Sequence, residues 1–306
     1  MRVIITGGTG LIGRELVRNL QSHGHGAVVL SRHPEGREVP GNVDMVKWDA
    51  ESPEGWVDEV EKSDAIVNLA GENIAGSGLL PDRWTERKKR RILDSRLKAG
   101  QAVTEAVKAA ENRPEVVVQA SAVGYYGANK DKVLTEESPP GKDFLADVAV
   151  KWEDTTYPVE ELGVRRAVIR TGVVLSPKGG VLPRLILPYR FFLGGPLGSG
   201  RQWYSWIHIE DEVRAIRFLL ESEEASGAFN LTAPNPRRNA EFAEALGSSL
   251  DRPSNFRVPT FLIRAIFGET STLVVDGQRV KPARLEETEF EFNFAELDRA
   301  LSDLIS

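Results

Sequence analysis

Three glycines set three residues apart, Gly7, Gly10 and Gly13, stand in the run TGGTGLIG at residues 6 to 13. An apolar stretch precedes them, and Ile12, Leu16 and Leu20, with Val17 beside them, follow at helical spacing. Strand, glycine turn and helix in that order make a phosphate cradle. The first glycine permits the tight turn, the second lets the backbone approach a pyrophosphate, and the third lets the helix pack on the sheet. Free N–H groups and the dipole at the helix start favour phosphate oxygens. The chemistry expected is the holding of a dinucleotide. Leu30-Ser31-Arg32-His33 closes a second apolar run. An acid at such a position takes the ribose hydroxyls of NAD. Here Ser31 and Arg32 offer a hydroxyl and a guanidinium, which suit the 2′-phosphate of NADP. Asp49, after a third run, either accepts from the adenine amino group or closes a turn. Asn68-Leu69-Ala70-Gly71 ends a fourth, where small residues let the backbone run beneath a cofactor.

Other chemistries have little to draw on. The 306 residues include no cysteine, which removes disulfides, cysteine-ligated zinc and thiol catalysis together. The four histidines do not cluster as metal ligands, so no metal is expected. Net charge is −6 with no long run of one sign, and neither nucleic acid nor a membrane is expected as a partner. The basic cluster Arg87 to Arg91 reads as a solvated helix face. The N-terminus starts on a strand and no apolar run approaches ~18 residues, so the expected location is the cytoplasm.

A cofactor turn needs a sheet to carry it. Apolar runs at 2–6, 27–30, 43–47, 65–69, 116–120 and 166–175 alternate with helical patterns, among them 11–23 and 92–110. Apolar strands alternating with helices predict a parallel sheet covered on both faces, the doubly wound α/β arrangement of a Rossmann fold. The second half changes character. Residues 176–200 are rich in Gly and Pro and predict loops around a short broken helix. Helices are expected at 211–221 and 239–250, and strands at 228–231 and 289–294. The expected division is an NADP-binding domain over 1–175, with 205–235 returning to it, and a smaller substrate lobe from 176–204 and 236–306.

These residues resemble the extended short-chain dehydrogenase/reductases, and more closely an atypical epimerase-like branch, the SDR39U1-type proteins with a DUF1731-like C-terminal domain. The resemblance rests on TGGTGLIG and on further segments in the family's order along nearly the whole chain. They are NLAGENI (68–74), SR (95–96), SAVGYYG (121–127), KWE (151–153), RTGVVLS (170–176), GGPLGSG (194–200), SWIHIED (205–211), FNLTAPNP (229–236) and GQRVKPARL (277–285). It implies a Rossmann domain with a small C-terminal domain, and bound NADP(H). The implied cofactor contacts are Gly7, Thr9, Gly10, Leu11, Ile12 and Gly13, then Ser31 and Arg32, Leu69, Ala70 and Gly71, Arg91 and Arg96, and Val173.

In that superfamily a Ser or Thr holds the substrate oxygen and a Tyr passes the proton. A Lys four residues later, on the same helix face, lowers the Tyr pKa and binds the nicotinamide ribose. Ser121 is the serine candidate. The Tyr-Lys pair is missing. Tyr126 and Lys130 have the spacing, but Gly127 and Asn129 make that segment a turn. The expected helix at 143–155 has no tyrosine. Lys151 stands four after Asp147, and anchoring on Glu153 instead puts Leu145 and Ala149 at the two positions. Two readings stay open. In one, Tyr125 or Tyr126 donates the proton beside Ser121, assisted by Lys151 or Asp147, in an NADP(H)-dependent oxidoreductase or an epimerase that returns its hydride. In the other, the protein binds NADP(H) without standard hydride transfer, as a redox sensor. Glu72, Asn73, Trp84, Arg201, Trp206 and His208 are candidates to line a small-molecule substrate, with His208 also a candidate base or a structural histidine.

Overall fold

The strand β1 (Arg2–Thr6) buries Val3, Ile4, Ile5 and Thr6 completely, so both its faces are covered. The computed structural model describes the chain except residues 37, 38, 42, 77, 79, 130 and 306, so Lys130 lies outside the described residues. The remaining strands are β2 (Gly26–Ser31), β3 (Asp44–Lys47), β4 (Ala65–Asn68), β5 (Val116–Ala122), β6 (Val133–Leu134), β7 (Arg165–Thr171), β8 (Val173–Leu175), β9 (Trp203–Tyr204), β10 (Trp206–His208), β11 (Gly227–Leu231), β12 (Arg237–Arg238) and β13 (Arg279–Val280). The helices are α1 (Leu11–Ser22), α2 (Val57–Glu61), α3 (Glu86–Ala109), α4 (Phe144–Asp154), α5 (Pro158–Glu161), α6 (Leu182–Arg190), α7 (Ile209–Glu221), α8 (Asn239–Ser249), α9 (Thr260–Phe267), α10 (Thr272–Val275), α11 (Ala283–Glu286) and α12 (Leu297–Ile305).

Seven strands form one parallel sheet in the order β11-β7-β5-β4-β1-β2-β3. The doubly wound α/β expectation is met. Alternation along β1 decides which layer each side chain joins. Val3 and Ile5 pack with Leu16, Leu20, Ile216 and Leu301 of α1, α7 and α12. Ile4 packs on the other face with Val60, Val103 and Val159 of α2, α3 and α5. Each such fully buried aliphatic side chain contributes about 1.5–3 kcal/mol. Strand order reverses between β1 and β4, and the crevice at such a switch point is where sheets of this kind receive ligands. β11 pairs with β7 at the sheet edge, so residues 227–231 belong to this layer.

Three local features differ from the sequence reading. The run 166–175 is two strands, broken at Gly172. A Cβ there would lie 2.4 Å from the Ser205 carbonyl oxygen, and β8 leaves the sheet to pair with β10. Residues 289–294 form no strand, because the backbone N–H groups of Asn293 and Phe294 donate to the buried Asp211 carboxylate, at 3.0 and 2.8 Å. α3 begins at Glu86, which puts the basic cluster in its first turns, where the helix dipole disfavours positive charge. Acids offset this: Lys88 lies 2.9 Å from Glu72, Lys89 lies 2.7 Å from Glu269, and Arg91 pairs with Glu72. Among the described residues no helix is long and apolar enough to cross a membrane, and no cluster of His, Cys, Asp and Glu could hold a metal ion.

Candidate cofactor and active site

The glycine turn sits at the switch point. Gly7 takes φ +68°, and a Cβ on it would lie 2.8 Å from the Leu69 carbonyl oxygen. The Gly10 N–H donates to the Gly7 carbonyl at 2.9 Å. A Cβ on Gly13 would stand 2.5 Å from that carbonyl and 2.6 Å from the Gly8 Cα, so α1 can rest on the turn only with glycine here. Gly10 caps α1 with no side-chain acceptor, which leaves the N–H groups of the first turn, Leu11 to Gly13, without helical partners. Behind the turn, the buried Thr6 hydroxyl donates to Asn68 Oδ1 at 2.6 Å and accepts from the N–H groups of Leu69 and Ala70, at 3.1 and 3.2 Å. Asn68 in turn donates to Gln119 at 2.8 Å. This polar ladder fixes the ends of β1, β4 and β5 against one another, at the rim where a dinucleotide would lie.

At the end of β2, Ser31 is buried and its hydroxyl accepts from the His33 N–H at 3.2 Å, while Arg32 is exposed. Asp49 closes a turn. Its carboxylate accepts from the N–H groups of Glu51 and Ser52 at 2.7 and 2.8 Å, and those donors lower its pKa. Past Ala70, a Cβ on Gly71 would lie 3.1 Å from the Arg96 guanidinium carbon. Arg96 donates to the carbonyls of Glu72 and Ile92, both at 3.0 Å, and its guanidinium lies over the Trp152 ring at 4.8 Å. Burial drops its pKa to about 10. Arg91, one helical turn before Ser95, is exposed and paired with Glu72. Burial of Glu72 opposes its charge, but Lys88 and Arg91 outweigh this and hold its pKa below the usual value. Val173 opens β8, its N–H donating to the Ser205 carbonyl at 2.8 Å.

The catalytic end is built differently from the sequence expectation. Ser121 is buried near the end of β5, and its hydroxyl donates to Glu153 Oε1 at 2.6 Å. The same carboxylate takes a fork from Arg170, Nε to Oε1 and a terminal nitrogen to Oε2, both at 2.9 Å. The other terminal nitrogen of Arg170 donates to the Tyr126 hydroxyl at 3.1 Å, and that hydroxyl donates to Asn230 Oδ1 at 2.7 Å. The Asn230 N–H reaches Glu136 at 2.9 Å, and its side-chain amide donates to the Lys281 carbonyl at 2.9 Å. Burial opposes the charge on Arg170, yet Glu153 outweighs it and raises the pKa. Burial pushes Tyr126 up to about 12 and raises Glu136 as well.

This arrangement corrects two catalytic candidates. Tyr126 is 1% exposed with its hydroxyl spent inside the network, so it presents no proton to the crevice. Lys151 is exposed on α4 and pairs with Asp147 at 2.8 Å. It lies two residues from Glu153, nearly opposite on the helix, so the structure does not bring it to Ser121. The face that meets Ser121 carries Glu153, Ala149 and Leu145, and Leu145 packs against Gly124. Glu153, the alternative anchor for the pair, is thus the acid that reaches Ser121. Tyr125 is partly exposed, its ring 3.4 Å from the Arg170 guanidinium carbon.

The substrate-side candidates disperse. Trp206 is fully buried and donates to the Asn235 carbonyl. His208 caps α7 by accepting from the Glu210 N–H at 3.1 Å and stacks on Phe294 at 3.8 Å, so it is a structural histidine, and burial lowers its pKa. Trp84 is buried and donates to the Ile74 carbonyl, Asn73 accepts from the Ala75 N–H, and Arg201 is exposed. Arg170, Asn230 and Glu136 were not singled out from the sequence. A charged residue inside the apolar run 165–171 is the signal that could have found Arg170.

The profile of the NAD dependent epimerase/dehydratase family matches residues 3–232, and a domain of unknown function, DUF1731, matches residues 258–304. The chain is 40% identical to the epimerase family protein YfhF of Bacillus subtilis, over 100% of this chain and 98% of that one. It is 42% identical to the chloroplastic SDR39U1 homolog of Arabidopsis thaliana, over 98% and 86%. Among solved structures, human epimerase family protein SDR39U1, crystallised with NADPH, superposes with a TM-score of 0.87 at 34% identity, covering 100% of this chain and 99% of that one. UDP-glucose 4-epimerase of Thermus thermophilus, with NAD, shares the fold at a TM-score of 0.77 and 17% identity.

Proposed function

Because the chain belongs to the NAD dependent epimerase/dehydratase family, we propose that it binds NADP(H) and acts as an oxidoreductase of the epimerase-like kind on a small molecule. The observation that carries the cofactor is the cradle itself, in which Cβ atoms on Gly7 and Gly13 would clash with backbone and the first N–H groups of α1 have no cap. The residues fit a pyrophosphate, since oriented N–H donors and a helix N-terminus meet with no side chain between them. The choice of NADP rests on Ser31 and Arg32, which bring a hydroxyl and a guanidinium and no acid to the end of β2. The SDR39U1 structure with NADPH is consistent with that choice. When bound, the cofactor supplies a hydride donor or acceptor at C4 of the nicotinamide.

The chain's own residues then do the following. Leu69, Ala70 and Gly71 provide a floor without bulk, held by Thr6 and Arg96. Ser121 gives its proton to Glu153, so toward the crevice it offers a lone pair. It holds a group that donates, such as a substrate hydroxyl or an amide N–H. Polarising a carbonyl would require its proton to turn away from Glu153. Tyr125, whose ring lies on Arg170 and whose hydroxyl has no hydrogen bond among the described residues, is the remaining candidate proton donor.

One observation favours a second reading, an NADP(H)-binding redox sensor that does not turn over. The helix that faces Ser121 contains no tyrosine, and the Ser121 proton is committed to Glu153. Stopped assays of NADPH oxidation against aldehydes, ketones and nucleotide sugars, with products analysed for epimers, separate the two. Turnover or epimer formation supports the enzyme. Tight NADPH binding with neither supports the sensor, and failure to bind NADPH removes both.

A further inference from the structure

Net charge conceals a strong segregation. Residues 177–209 and 252–268 carry seven Lys and Arg (Lys178, Arg184, Arg190, Arg201, Arg252, Arg257 and Arg264) and no Asp or Glu, on a chain whose total is −6. The two segments lie side by side. The Phe256 N–H donates to the Gly194 carbonyl at 3.0 Å, the Val258 N–H to the Pro196 carbonyl at 3.1 Å, and the Gly198 N–H to the Val258 carbonyl at 2.8 Å. Glu210, Asp251 and Glu269 stand at the borders, and Asp276 further on is close enough to Arg264 to feel its charge. Within the segments, Arg190, Arg252, Arg257 and Arg264 are exposed, and no salt bridge engages them among the described residues.

The same lobe exposes the largest apolar side chains of the molecule. Phe191, Phe192 and Leu193 follow one another at the C-terminal tip of α6, with 67%, 61% and 51% of their surface open. Phe192 takes φ +60°, a left-handed turn that an aromatic residue rarely adopts, and the Arg252 guanidinium lies 4.8 Å from its ring centre. Phe256 adjoins this tip through its bond to Gly194, at 53% exposure. On α9 only Ile263 is buried, while Phe261 and Ile266 are open at 70% and 55%.

We propose that this lobe docks on an anionic lipid surface, the Phe191-Phe192-Leu193 tip and the outer side of α9 entering the interface while the flanking arginines meet the headgroup charges. Charge complementarity selects the occupant. A surface whose two segments carry only basic charges attracts anionic headgroups, and exposed apolar residues between basic ones are what an interfacial site requires. A stable protein complex needs about 20–30 residues a side with charge depleted at its centre. Here the exposed apolar residues are few, set at the end of α6 and along α9, and interleaved with arginine. A fluid surface demands no matching shape.

The test is co-sedimentation of the full chain with phosphatidylcholine vesicles and with vesicles part of whose lipid is phosphatidylglycerol. The expected result is binding to the phosphatidylglycerol vesicles alone, weakened by added salt. F191S/F192S and, separately, R190E/R264E are expected to reduce it about tenfold or more while NADPH affinity and the thermal midpoint stay near those of the parent. Equal sedimentation with both vesicle types, none with either, or unchanged binding by both variants overturns the proposal. Capture by polyglutamate together with no vesicle binding overturns it in favour of an acidic protein partner. None of these outcomes bears on the NADP(H) reading, which stands or falls by titration.

Discussion

Replacing Glu153 by Gln removes the charge that Ser121, Arg170 and, through Arg170, Tyr126 depend on. Arg170 and Glu153 are 6% and 12% exposed, and their fork closes with two bonds of 2.9 Å. Deleting one partner of such a pair leaves the other charge buried and uncompensated, at a cost of about 3–5 kcal/mol. The glutamine keeps one acceptor, which puts the expectation toward the lower end. Against a total stability of about 5–15 kcal/mol this is a large fraction. Urea unfolding of the parent and of E153Q measures it, provided m is unchanged. The double variant E153L/R170M removes both charges and is expected to recover part of the loss, because apolar replacement of a whole buried pair is often neutral. A cost for E153Q below about 1 kcal/mol, or effects of the two sites that simply add, would mean that Arg170 finds other compensation and that the network is not the organising element of this site.

Four further outcomes are expected. G13A puts a methyl 2.5 Å from the Gly7 carbonyl, so fluorescence titration should show at least about a tenfold loss of NADPH affinity, with about 1–3 kcal/mol of destabilisation. S121A is expected to abolish any turnover found in the panel while leaving NADPH affinity nearly intact, and unchanged turnover removes Ser121 from the mechanism. Lys151→Met should change neither, since that amine faces solvent on Asp147. Glu212 is buried on α7, and burial pushes its pKa up to about 8 from 4.5. The folded state thus holds a proton the unfolded chain releases. That stabilising contribution is complete below pH 4.5 and lost as pH rises toward 8. E212Q, which mimics the neutral form, should flatten this part of the pH–stability profile measured by urea unfolding, and an unchanged slope counts against a protonated Glu212.

Much of the cofactor end was legible because its constraints are local. A glycine turn, the strand before it and the helix after it sit within 22 residues, and Gly7 and Gly13 each answer a backbone contact that a Cβ would not permit. Parallel pairing followed from runs that are apolar on both faces. What resisted reading is made by distant residues. Glu153 meets Ser121 across 32 positions, and Tyr126 meets Asn230 across 104. No periodicity encodes such pairs. The alternation at 289–294 mimicked a strand, but its N–H groups found Asp211, a side chain 83 positions away. The lack of acids in 177–209 and 252–268 is visible along the chain, but that the two segments lie side by side is not.

The proposed cradle for NADP(H) takes its preference from Ser31 and Arg32. Competitive titration of the purified protein with NADPH and NADH, repeated on R32A, tests it most directly. NADPH should bind more tightly, and R32A should lose about tenfold or more for NADPH alone, because only that cofactor carries the 2′-phosphate. Equal affinity for the two cofactors, tighter binding of NADH, or an R32A variant that still prefers NADPH as strongly would contradict it.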